Sequence, residues 1–155
     1  MEVLNASLKL IHQVRKKNTF KGLYWVVKVS MGLTFMGSGV RKLPGIRFTA
    51  LAVDNPVGNF FEAMFQTGFY WNTIGVVQII LGLLMFFNRT VVASSLLMMP
   101  VTINIFLVSV ALQMQGTPFI TSAMLVANIF LLLWHYENYL PIVQRPKYRQ
   151  YEPTE

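Results

Sequence analysis

FYWNTIGVVQIILGLLMFF, residues Phe69 to Phe87, decides what kind of solvent this chain meets. A helix crossing a bilayer needs about 20 mostly apolar residues at about 1.5 Å rise each. This stretch has that length and carries no charge. Three more runs of the same kind flank it: Gly22–Val40, Val91–Leu112 and Thr117–Tyr136. The expected fold is therefore all-α, an integral membrane four-helix bundle.

Composition agrees. Of 155 residues, 54% are hydrophobic and only 12% charged, too apolar for a soluble core of this size. The net charge of +7 would suit nucleic acid, but its placement argues against that partner. The basic residues gather at the ends, as Lys9, Arg15, Lys16, Lys17 and Lys21, then Arg145, Lys147 and Arg149. Such clusters orient membrane proteins, so both termini are expected on the cytoplasmic side. The expected domains are a basic N-terminal segment over 1–21, a transmembrane domain over 22–140 and a tail over 141–155. The absence of cysteine excludes disulfides, thiolate catalysis and iron–sulfur ligation in this chain.

The connection from Arg41 to Gly68 is not featureless. Asn55-Pro56 reads as an N-cap followed by proline at the first helical position. Val57, Phe60, Phe61, Met64 and Phe65 then recur on one helical face, giving a short amphipathic helix at the outer interface. Aromatics at span ends, such as Tyr24, Trp25, Trp71 and Trp134, read as interface belts.

Helices in lipid associate through close contact and polar links. Gly32 and Gly39 lie seven apart on the first span, as do Gly75 and Gly82 on the second; Ala123 and Ala127 form a small-residue pair on the fourth. Gln78, Asn104 and Asn128 sit inside three different spans. Counted inward from the outer ends, they lie roughly 12–17 Å deep. They serve either as interhelical links or as the floor of a pocket for a polar headgroup. Lys28 is expected to snorkel to the headgroups. Arg41 and Lys42 run against the positive-inside trend and call for a partner: outer phosphates, or an anionic headgroup with Asp54 or Glu62 as counter-charge. His135 reads as an interface residue. No metal cluster, catalytic triad or phosphate loop is present, so the isolated chain offers no catalytic residue.

The run Phe35-Met36-Gly37-Ser38-Gly39-Val40-Arg41-Lys42-Leu43 resembles the F-x-x-S-G-x-x-K-L signature of the DoxX-like family of small four-span membrane proteins. Gly75-Val76-Val77-Gln78-Ile79, Pro100 to Phe106 and Asn128 extend the likeness over roughly Gly22 to Tyr136. The resemblance implies a bundle in the bacterial cytoplasmic membrane, acting as a non-catalytic subunit or a module that binds a small lipophile. It also implies two other roles: a quinone-linked subunit of a membrane oxidoreductase, with quinone as cofactor, or an assembly partner without ligand. The resemblance carries over Phe35, Ser38, Gly39, Lys42 and Leu43; together with Arg41 and the buried amides, the expected ligand residues are Ser38, Arg41, Lys42, Gln78, Asn104 and Asn128, in a protein whose partners are the bilayer and another membrane or redox protein or a second copy.

Overall fold

The computed structural model describes residues 11, 13, 15–43 and 47–143, with side chains to residue 139. Among the described residues the chain is helical, without strands. The helices are α1 (Asn18–Val40), α2 (Pro56–Gln66), α3 (Phe69–Phe86), α4 (Val91–Ala111), α5 (Thr117–Trp134) and α6 (Tyr136–Val143). Three of them, α3, α4 and α5, are long and apolar enough to cross a membrane, which makes this a multi-pass membrane protein by length and composition. At 23 residues α1 is the longest, but Lys21, Lys28 and four glycines dilute its apolar character, and it is not among those three.

Local chemistry sets the boundaries. Asn55 Oδ1 accepts from the Val57 N–H at 2.9 Å, with Pro56 at the first position of α2. Gly68 (φ 57°) and Gly116 (φ 74°) open α3 and α5 from the left-handed half of backbone space, where side chains are disfavoured. The turn between α3 and α4 is closed by Thr90 Oγ1 donating to the Leu84 carbonyl at 2.6 Å. Helix α6 runs to Val143 through Pro141, into the segment expected as the tail; the basic cluster at Arg145, Lys147 and Arg149 and residues 1–10 of the N-terminal segment lie outside the described residues.

Helices α1, α3, α4 and α5 pack as antiparallel neighbours. The tightest seam joins α1 to α3. A Cβ on Gly39 would stand 2.6 Å from the Gly75 carbonyl oxygen, and one on Gly82 would stand 2.7 Å from that of Gly32. The two seven-residue glycine spacings thus face each other and let the backbones touch. The second seam, α4 against α5, is polar: Ser109 Oγ meets Thr121 Oγ1 at 2.8 Å, and Asn128 bridges two groups of α4. Ala123 is exposed and takes no part in that packing, because its helical phase points away from α4.

Contact between α3 and α4 is looser and is fixed near their shared turn, where Ser94 Oγ donates to the Leu81 carbonyl at 2.6 Å. The end of the bundle bearing this turn is filled by Tyr24, Met31, Phe35, Leu81, Met85, Met98 and Leu131. Tyr24 is a core residue here and not a belt residue: it stacks on Trp134 at 5.0 Å, and its hydroxyl lies 3.1 Å from His135 Nε2. Lys28 is fully buried. Its ammonium donates to Asn88 Oδ1 at 2.7 Å and lies 4.6 Å from the Trp25 ring, so it ends on a protein amide and does not snorkel to headgroups.

Candidate functional site

At the opposite end, under α2, the two helix pairs part. The gap is a cleft of about 400 Å³, within the usual range for small-molecule sites. Ser38 and Lys42 line it from the α1 end, Trp71, Ile74 and Gln78 from α3, and Pro100, Asn104 and Val108 from α4. Phe60, Phe61 and Met64 of α2, with Phe48 from the preceding loop, cover it. The Phe48 and Phe61 rings lie tilted with centroids 4.6 Å apart, and both meet the Trp71 ring edge-on. Sulfur and aromatic groups thus make most of the roof.

Lys42 is the polar centre. It lies two residues beyond the end of α1 and is 6% exposed. A lysine so near a helix end would ordinarily reach out to headgroups. This one turns back. Its ammonium donates to Ser38 Oγ at 2.8 Å, to the Ser38 carbonyl at 3.0 Å and to Gln78 Oε1 at 2.9 Å. It also lies 4.9 Å from the Phe48 ring and 5.3 Å from the Trp71 ring, where the ring faces favour a cation. The close pass of Gly39 and Gly75 makes this reach possible: a Cβ on Gly75 would meet Lys42 Cβ at 2.8 Å.

No carboxylate pairs with Lys42 among the described residues. Glu62 meets Arg47 Nε at 2.5 Å instead. Burial lowers the Lys42 pKa from its usual 10.5 to about 8, since every partner it has is neutral.

The expected site residues divide. Ser38, Lys42, Gln78 and Asn104 line one cleft. Arg41 is exposed and outside the lining, and so is Asp54. Asn128 faces a different seam. Its Nδ2 donates to the Ser95 carbonyl at 2.9 Å, and its Oδ1 shares the Thr102 hydroxyl proton (3.1 Å) with the Met98 carbonyl (2.8 Å). The three amides therefore do not meet: Gln78 serves Lys42, Asn128 links α4 to α5, and Asn104 sits on the cleft wall, more exposed.

Trp71 was missed as a site residue. It is 3% exposed, and its buried indole N–H has no acceptor among the described residues. The signal was available, since an indole donor demands a partner when buried. Its place at the start of a span nevertheless makes it look like an interface residue. No group of three or more His, Cys, Asp or Glu able to hold a metal occurs among the described residues.

Comparison with known protein families, with curated proteins and with solved structures finds no match.

Proposed function

We propose that the chain is a DoxX-like, four-span integral membrane protein of the bacterial cytoplasmic membrane, working as a non-catalytic binding module in a membrane complex. In this reading α1 is the first span. Its length, its antiparallel course and its glycine seam with the apolar α3 support that role. The basic residues near both ends put the termini on the cytoplasmic side, so the cleft under α2 opens in the outer half of the membrane.

One observation carries the binding role. A lysine that has lipid headgroups within reach is instead folded inward and fixed beside a cleft of about 400 Å³. Neutral partners hold it there, and the cleft holds a second buried donor in Trp71. Burying a cation beside an apolar cleft is costly, and acceptor atoms of a bound head group would offset that cost. The polar head of a small lipophile meets that need. The same donors fit a quinone carbonyl, which keeps a quinone-linked subunit of an oxidoreductase as the second reading.

Mass spectrometry of lipophiles that co-purify in mild detergent tests the proposal. Wild-type protein is expected to retain one class of lipophile, and the Lys42→Met variant to lose it while remaining monodisperse. A wild-type chain that carries nothing, with the variant identical to it, would favour an assembly partner without ligand.

A further inference from the structure

The polarity of the atoms around Lys42 narrows the ligand class. An ammonium has three donors and no acceptor. Gln78 must therefore turn its oxygen to Lys42, whichever way the amide is assigned. That leaves the Gln78 Nε2 hydrogens without an acceptor among the described residues. Ser38 Oγ likewise accepts from Lys42, which leaves its own proton available. Trp71 Nε1–H is a third donor, fully buried and unpaired. Lys42 thus takes up the acceptor ends of Ser38 and Gln78 and leaves their donor ends free, in residues that line the cleft with Trp71.

The charge is equally one-sided. Among the described residues the only carboxylate on α2 is Glu62, and Arg47 holds it. Asp54 is exposed and outside the lining. A neutral head could satisfy the donors but would leave the ammonium uncompensated, and a buried charge without a counter-charge is strongly disfavoured. Away from this corner the walls are mostly apolar, with Phe60 and Met64 on one side and Ile105 and Val108 on the other, and Asn104 among them.

We infer that the cleft takes a single-chain anionic amphiphile, whose carboxylate or phosphate oxygens accept from Trp71, Gln78 and Ser38 beside the Lys42 ammonium while its alkyl chain lies between α2 and α4. This rests on the binding-module reading and deepens it: the charge selects an anion over a neutral quinone head. An adjacent anion favours the charged lysine, so binding near pH 9 takes up a proton from solvent.

The test uses the full chain in nanodiscs, titrated with dodecanoate, dodecyl phosphate, methyl dodecanoate and acetate. The two long-chain anions are expected to bind, with their relative affinities identifying which head the site prefers. The methyl ester should bind about 30-fold more weakly, as when one member of a buried charge pair is removed. Acetate, lacking the chain, should not bind measurably. Lys42→Met should bring dodecanoate down to the affinity of the ester. Trp71→Phe, which keeps the ring and removes the N–H, should weaken dodecanoate about tenfold with unchanged helicity. Wild-type affinity for dodecanoate should fall as pH rises above about 8.

An ester that binds wild type as tightly as the acid overturns the anion assignment and leaves the binding module standing. So does an acid affinity untouched by both substitutions. Failure of every long-chain compound to bind overturns the module as well.

Discussion

The two ends of the bundle treat the same residue in opposite ways. Lys28 and Lys42 lie fourteen residues apart, about four helical turns, so both face the interior side of α1. At the α3–α4 turn, Lys28 finds one amide oxygen on Asn88 and is enclosed by a filled core. Under α2, Lys42 finds three neutral acceptors and borders open space. One lysine completes the packing; the other is presented to a cleft. Burial of a cation alone therefore does not mark a site. What marks it is burial beside a cavity where Lys42 has engaged the acceptor atoms of Ser38 and Gln78.

The contrast depends on the glycine seam that holds both lysines against α3, and breaking the seam should have the largest effect. Gly39→Val places side-chain atoms on the Gly75 carbonyl and Ile79 and is expected to cost about 3 kcal/mol, seen as early unfolding in a detergent–denaturant titration. Asn128→Ala should cost about 1–2 kcal/mol, because it leaves Ser95 and Thr102 without their interhelical partner. It should leave lipophile retention unchanged, since Asn128 is outside the cleft.

The two lysines can then be compared directly. Lys28→Met is expected to shift stability by less than about 1 kcal/mol, since an apolar side chain replaces a buried charge, and to leave retention intact. Lys42→Met should abolish retention, as read by mass spectrometry. Equal behaviour of the two variants would erase the distinction.

Lys42 also confers a pH dependence. The folded-state pKa of Lys42, about 8, lies below its unfolded value of 10.5, so between these values the unfolded chain binds more protons. Stability of the ligand-free protein should therefore rise as pH goes from about 8 to 10.5. The Lys42→Met variant should lack that component of the rise.

Much of this was legible in the residues. The span boundaries at Phe69, Val91 and Thr117 follow from where apolar runs meet Gly68, Thr90 and Gly116, and the α2 cap follows from Asn55-Pro56. Level along each helix was also readable, because rise per residue is constant. Rotation was not. Asn104 and Thr102 are two residues apart, about 200° around α4, so Asn104 faces the cleft while Thr102 faces Asn128. Counting depth put Asn128 and Asn104 in one layer, and only the helical phase separates them. Arg41 and Lys42 were inseparable for the same reason: one step of about 100° sends one outward and the other onto Gln78. The covering by Phe48 depends on a loop whose course no periodicity encodes.

The glycine seam has a mechanical consequence. Where main chain rests on main chain, no side chain can yield, so α1 and α3 form a beam that resists sliding and compression. The looser joint beside the gap is the α3–α4 contact, held near the corner at Phe87–Thr90. One wall of the vestibule is thereby rigid, because it is built on the α1–α3 pair.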